Sequence, residues 1–367
     1  LRLAVDASRT TSARATGTEA YARDLIRALI ASNPGHQIAL YFRDLPPADL
    51  FPPDAHVTQH VIPFRRAWTH VRFAAALART RPDVTFVPAH TLPFVFPGRA
   101  AVTVHDLGYN RFPDAHPRAS RLYLDTTTRY SAARASIVFA DSMATARDLT
   151  ADYGTPPEKI CVAYPGVSMP ARDVPADEIA AARAAYGLPE RYFLFLGTLQ
   201  PRKNIARLVA AYAQVRTTWG DEVSLVLAGG RGWLFDPAWT RAPGVIAPGY
   251  IADQHKAGLY AGAVAFVFPS LYEGFGFPVL EAMRCGTPVL CSATSSLPEL
   301  VGEAALTVDP VDVGAIAAGM GRLAALESEA RTAVIARGRG QAARFTWAAA
   351  AAAVWAGLHP NSAAMGS

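Results

Sequence analysis

The sequence of 367 residues predicts an α/β protein with two Rossmann-like domains facing each other across a ligand cleft. Apolar runs of period 2, or continuous ones, alternate with helical apolar stripes from end to end, the pattern of parallel sheets wrapped by helices. The length suits two domains of roughly 100–200 residues each. The alternation also falls into two similar series, separated by a stretch from Pro165 to Pro189 that holds four prolines.

The first series opens with a strand over 1–7, a polar loop ending at Gly17, and a helix with Thr18, Tyr21, Leu25, Ile26 and Leu29 on one face. Strands follow at 38–42, 57–62, 84–87, 101–105, 137–140 and 160–163, with helices over 66–79, 118–134 and 142–153. In the second series, strands at 192–196, 223–228, 245–246, 264–268, 289–291 and 306–308 flank helices at 204–218 and 278–285. The division is then an N-terminal domain at 1–168, a connection at 169–190 and a C-terminal domain at 191–345. A final helix at 346–358 is expected to pack back on the N-terminal domain, ahead of a tail at 359–367.

Composition narrows the function classes. Hydrophobic residues make up 51% of the chain and charged ones 18%, which excludes disorder as the main state. The longest apolar run, Trp347 to Leu358, has 12 residues, and a membrane span needs ~20. The opening Leu-Arg-Leu-Ala-Val-Asp reads as a strand and not as a secretory leader. Cys161, Cys285 and Cys291 are odd in number and lack Cys-x-x-Cys spacing, so reduced thiols in a cytoplasmic protein are expected. Of the +5 net charge, residues 1–168 supply 19 basic against 14 acidic side chains and the rest 16 of each. Arginine outnumbers lysine 32 to three, the mark of a GC-rich genome, so basicity alone does not point to nucleic acid.

No Gly-x-Gly-x-x-Gly follows the first strand, and no Walker loop, Gly-x-Ser-x-Gly elbow or zinc spacing occurs. There is no Asp-x-Asp to hold Mg²⁺ or Mn²⁺ on a diphosphate. Phosphate chemistry would then fall to protein cations and helix ends, with no metal and no organic cofactor.

Three segments carry that chemistry. In Phe268-Pro-Ser-Leu-Tyr-Glu273-Gly274-Phe275-Gly276-Phe-Pro-Val-Leu-Glu281, a buried strand ends, a glycine-rich loop follows, and Pro278 sits where a first helical turn begins. Backbone N–H groups beside a positive helix end suit phosphate or sugar oxygens. Glu273 and Glu281 can each accept from two hydroxyls, as on a vicinal diol; Glu281 alone also reads as a first-turn acid facing the helix dipole. In Gly197-Thr198-Leu-Gln-Pro-Arg202-Lys203-Asn204, adjacent cations precede a helix that Asn204 is placed to cap, and could hold a diphosphate without metal. A solvated Arg-Lys pair is the plainer alternative, although Lys203 is one of only three lysines. In Val-Thr-Val-His105-Asp106, a histidine ends a buried strand; Asp106 would orient its ring or cap the next turn. A fourth stretch, from His60 to Arg81, holds arginines and no acid. Arg65, Trp68, Arg72 and Arg79 fit one helix face, either a contact with an anionic membrane surface or a solvated arginine-rich face.

These motifs together resemble the retaining glycosyltransferases of family 4, of GT-B fold, over nearly the whole chain. The resemblance implies that Glu273…Glu281 is the family's Glu–x7–Glu motif and that Arg202-Lys203 neutralises the β-phosphate of a nucleotide-sugar donor. It implies that Glu281 holds the ribose, and that Glu273 with Gly274, Phe275 and Gly276 grips the transferred sugar. His105 would meet that sugar, Gly17 would let the first loop approach the diphosphate, and Gly197 and Thr198 would line the donor. Tyr250 and Ile251 lie in a turn resembling the one that contacts the nucleobase. Tyr164-Pro165 stands where relatives usually show Pro-Asn, and Gly17 where many show two glycines. The implied reaction is metal-independent transfer with retention to a glycan or lipid-linked acceptor, on the cytoplasmic side. The sugar segments resemble bacterial mannosyltransferases that use GDP-mannose; glucosyl, rhamnosyl or N-acetylhexosaminyl transfer, or a nucleotide-sugar enzyme or binding protein that transfers nothing, are the alternatives.

Overall fold

The computed structural model describes residues 1–11, 17–113, 118–220 and 222–359. Among them, 1–111, 118–166 and 345–359 form one compact unit, and 167–344 with 112 and 113 form the other. Each unit contains one sheet in which every pairing is parallel.

The first sheet comprises β1 (Arg2–Asp6), β2 (Gln37–Phe42), β3 (Val57–Val61), β4 (Val84–Val87), β5 (Arg99–Val104), β6 (Ile137–Ala140) and β7 (Ile160–Val162), in the order β3-β2-β1-β4-β5-β6-β7. Its middle strands are buried, as continuous apolar runs covered on both faces must be. The helix Gly17–Ala31 buries Tyr21, Leu25, Ile26 and Leu29, four of the five residues expected on its inner face. The last helix, Trp347–Leu358, belongs to this unit. Trp347 meets the Tyr21 ring at 5.8 Å, and Arg99 donates to the Leu358 carbonyl at 3.4 Å.

One segment of this unit departs from expectation. The helix expected over 66–79 starts later and in another form: Ala67 takes a positive φ of 53°, a π-helical turn occupies Thr69–Phe73, and an α-helix continues it over Ala74–Thr80. The turn points Trp68 inward, where it is 6% exposed, stacks on Phe73 at 5.1 Å and donates Nε1–H to the Ile62 carbonyl at 2.8 Å. Trp68 is therefore a core residue with a satisfied indole and offers nothing to a membrane. Arg65 and Arg79 remain exposed and Arg72 half-buried.

The second sheet comprises β8 (Tyr192–Leu196), β9 (Ser224–Ala228), β10 (Val245–Gly249), β11 (Ala265–Phe268), β12 (Val289–Ser292) and β13 (Leu306–Val308), in the order β10-β9-β8-β11-β12-β13. The helix Ala176–Tyr186, inside the stretch read as a connection, belongs to this unit. The strand order reverses between β8 and β11, so the segments leaving their carboxyl ends diverge to opposite sides of one crevice, where open parallel sheets bind ligands. Among the described residues no helix is long and apolar enough to cross a membrane.

Candidate active site

The exits of β8 and β11 are tied together residue by residue. Leu271 N–H donates to the Arg202 carbonyl at 2.9 Å, and Arg202 Nη1 returns to the Tyr272 carbonyl at 2.8 Å. Asn204 is buried and in the left-handed region, with φ 62°; its side chain does not cap the helix Ile205–Trp219 as the sequence suggests. Its Nδ2 instead donates to the carbonyls of Pro269, at 3.0 Å, and Pro310, at 2.6 Å. The 3-10 turn Pro201–Lys203 is thereby fastened to the loop after β11.

That fastening brings the cations of one segment onto the carboxylate of the other. Lys203 Nζ lies 2.5 Å from Glu273 Oε1, and Arg202 Nη1 3.6 Å from Glu273 Oε2. Glu273 is 7% exposed, and Lys203 also lies 4.9 Å from the centre of the Phe268 ring. A guanidinium and an ammonium thus converge on one carboxylate in a poorly hydrated place, where charged groups act on one another more strongly than at an open surface. Ser295 and Ser296 fix the loop. Glu273 N–H donates to Ser295 Oγ at 2.9 Å, both hydroxyls donate to the Glu273 carbonyl, and Ser296 also donates to the Phe275 carbonyl. Gly276, at φ 127°, could not carry a side chain, because a Cβ would come within 2.7 Å of Leu297.

Glu281 lies in the second turn of the helix Phe277–Arg284, not in the first turn beside the positive helix end. It accepts from the Tyr260 hydroxyl at 2.8 Å. Burial pushes its carboxyl above the ordinary range, against the Tyr260 hydrogen bond and the Lys256 ammonium. Glu281 is half-buried and turned to the Tyr260 hydroxyl.

The exits of β8, β9 and β10 are laced side by side: Gly197 N–H donates to the Ala228 carbonyl at 2.9 Å, and Gly229 N–H to the Gly249 carbonyl at 2.7 Å. Gly229 has φ 128°, and a Cβ there would fall 2.1 Å from the Gly197 oxygen. Replacing Gly229 by alanine is expected to destabilise the protein by ~2–4 kcal/mol through strain and displaced backbone, measured as a lowered melting temperature. Beyond β10, Tyr250 is 71% exposed, while Ile251 is in the core and can reach a ligand only through its backbone. Thr198 is exposed at the β8 exit.

In the other unit, His105 follows β5. Its Nδ1 lies 2.7 Å from Asp141 Oδ2, a residue that sequence reasoning missed because Asp141-Ser142 reads as the start of a helix. Asp106 does not orient the ring; it accepts the Gly108 N–H at 2.8 Å and closes the next turn. Burial acts to depress the His105 imidazolium, but the carboxylates of Asp141 and Asp106 and the Pro88 carbonyl outweigh it, so the ring is held above the usual histidine range. Gly17 is exposed as the first residue of its helix, and no described residue lies within 4 Å of where a Cβ would stand. Among the described residues, no three His, Cys, Asp or Glu side chains group as a metal site.

Two Rossmann-like units, one with a cation–carboxylate cluster at its switch point, define the GT-B class of glycosyltransferases. Residues 15–169 match the family model described as Glycosyltransferase Family 4, and residues 190–325 the model described as Glycosyl transferases group 1. The chain belongs to this family of glycosyltransferase enzymes. It is 36% identical over 257 residues to O-antigen chain mannosyltransferase B of Escherichia coli, covering 68% of this chain and 67% of that one. It is 27% identical over 356 residues to the serotype-specific mannosyltransferase WbdA of Escherichia coli, covering 85% of this chain but only 42% of WbdA. Sucrose-phosphate synthase from Thermosynechococcus elongatus shares the fold, with a TM-score of 0.74 at 24% identity over 96% of this chain and 97% of that one.

Proposed function

We propose that the chain is a retaining mannosyltransferase that moves mannose from GDP-mannose to a hydroxyl of a glycan or lipid-linked acceptor during polysaccharide or glycolipid assembly. The observation that carries this reading is the Arg202–Lys203–Glu273 cluster at the exits of neighbouring strands, whose adjacent guanidinium and ammonium suit a diphosphate without help from a metal. Mannose as the sugar is supported by the names of the similar proteins.

In the proposed reaction Arg202 and Lys203 bind the donor β-phosphate and stabilise the charge that grows on it as the bond from C1 to the phosphate oxygen breaks. Glu281 receives the ribose hydroxyls, Glu273 and the loop 274–276 hold the sugar, and His105 meets the sugar as well. Tyr250 and the Ile251 backbone flank the base. Glu273 is a poor nucleophile because two cations neutralise it, which favours same-face attack over double displacement. The acceptor oxygen bonds to C1, and its proton passes to the departing phosphate oxygen. With GDP-mannose, a mannose-ended oligosaccharide acceptor and EDTA present, an α-linked product is expected by NMR. A β-linked product overturns retention, and turnover only with UDP-glucose, a dTDP-sugar or UDP-N-acetylhexosamine overturns the donor.

A lipid-linked acceptor would place the enzyme on the cytoplasmic face of an anionic membrane. Exposed Arg65 and Arg66 directly follow Phe64, which is itself 43% exposed, and support such a contact even with Trp68 buried. Arg65→Glu with Arg72→Glu is expected to abolish co-sedimentation with vesicles rich in anionic phospholipid. Undiminished co-sedimentation would exclude this surface.

A further inference from the structure

Three neighbouring strands of the first sheet deliver His90, His105 and Asp141 to one place, each just past a carboxyl end, on β4, β5 and β6 respectively. His105 is held from several sides. Its backbone N–H donates to His90 Nε2 at 3.1 Å, its carbonyl accepts from Thr145 Oγ1 at 3.1 Å, and the Tyr21 ring meets the imidazole edge-on at 4.7 Å. Asp141 fixes the remaining freedom through Nδ1, while Nε2 makes no hydrogen bond of normal geometry within the described chain.

A purely architectural role accounts poorly for Asp141. The helix Met143–Tyr153 is already capped by Ser142, whose Oγ accepts the Thr145 N–H at 3.1 Å. Asp141 is 2% exposed and its Oδ1 has no hydrogen-bond partner among the described residues, so an ionised carboxylate is costly here unless a cation faces it. Asparagine would serve the same packing more cheaply. His90, pushed down to about 3 by burial and by the charge of His105, is neutral at ordinary pH, and burial pushes the Tyr21 phenol well above its usual range. Against burial, the charge on His105 is therefore favoured first by Asp141 and then by Asp106 and the Pro88 carbonyl.

We infer that Asp141 is a positioning residue for sugar transfer: it locks the His105 ring with Nδ1–H directed at its own carboxylate, so that Nε2 is the atom offered to a substrate oxygen. The inference rests on the reading of His105 as a residue that meets the transferred sugar.

The test follows the ring nitrogens of His105 by NMR across pH, in the wild-type protein and in Asp141→Asn. In the wild type, titration above the ordinary histidine range and a neutral form protonated at Nδ1 are expected. In Asp141→Asn the titration should move down by at least a factor of ten in acid constant, and the Nδ1 preference should be lost. With GDP-mannose, kcat should fall about 10- to 100-fold with little change in KM, and Asp141→Glu should restore part of it. The acid limb of the pH–rate profile should move with the ring. The pairing is overturned if the two proteins titrate alike, or, where Asp141→Asn does not fold, if the wild-type ring is protonated at Nε2 alone. The titration needs no donor, so it decides the pairing even where GDP-mannose is not turned over. Full transferase activity in His105→Ala would instead overturn the catalytic part.

Discussion

Replacing Lys203 by alanine is expected to lower kcat about 100- to 1000-fold, with a much smaller rise in donor KM. Charge builds on the leaving diphosphate only as the glycosidic bond breaks, so a cation held against it contributes most at the transition state. Lys203 is suited to that by position: it is largely shielded from water, 2.5 Å from Glu273, on a turn fastened by Asn204. The substitution also leaves Glu273 facing only Arg202, at 3.6 Å, and breaking a buried pair costs about 3–5 kcal/mol of stability. A thermal melt beside the kinetics separates the two effects. A raised KM with unchanged kcat would mean that Lys203 only binds the donor.

Replacing Glu281 by glutamine should divide stability from function. Its folded-state carboxyl is raised by burial, so the folded protein holds this proton more tightly than the unfolded chain does. The resulting stabilisation is complete below the unfolded value and is lost as pH rises through the folded one. Above the folded value the buried carboxylate is therefore a burden on the unliganded fold, and Glu281→Gln should melt higher than the wild type there. Donor binding runs the other way, because the ribose hydroxyls require the carboxylate. Hydrogen bonds to a charged group are worth about 1.5–3 kcal/mol, so donor affinity should weaken about 10- to 100-fold. In the wild type, affinity should begin to fall on acidification at a pH above the ordinary carboxylate range. Calorimetry with GDP-mannose across pH checks both statements, and a variant that binds normally but melts lower would contradict them.

The parallel sheets were legible because both faces of each are covered, which turns strands such as Tyr192–Leu196 into unbroken apolar runs. Loop chemistry was legible as residue types but not as partnerships. Nothing in the spacing of Lys203 and Glu273 says that they touch; that follows from β8 and β11 being neighbours, a long-range fact of strand order. The same blindness hid Asp141 from His105 and left adjacent Asp106 either to orient the ring or to cap the next turn; the carboxylate accepts the Gly108 N–H of that turn. Asn204 reads as a helix cap because asparagine caps helices, yet a left-handed backbone turns its amide across to two distant carbonyls. Trp68 misleads for a related reason: α-helical periodicity placed it on a face with arginines, whereas it stands at the cap of a π-helical first turn, after a positive φ at Ala67, and lies inward.

The most direct measurement is the thermal shift of the EDTA-treated protein with GDP, UDP, dTDP and ADP and their common sugar conjugates. A ligand at 100 times its dissociation constant adds about 2.7 kcal/mol, enough to raise the midpoint by several degrees. GDP and GDP-mannose should produce that shift without metal, and Lys203→Ala with Glu281→Ala should remove it. A wild-type protein that no nucleotide stabilises under these conditions would contradict the assignment of Arg202, Lys203, Glu273 and Glu281 as a nucleotide-sugar site.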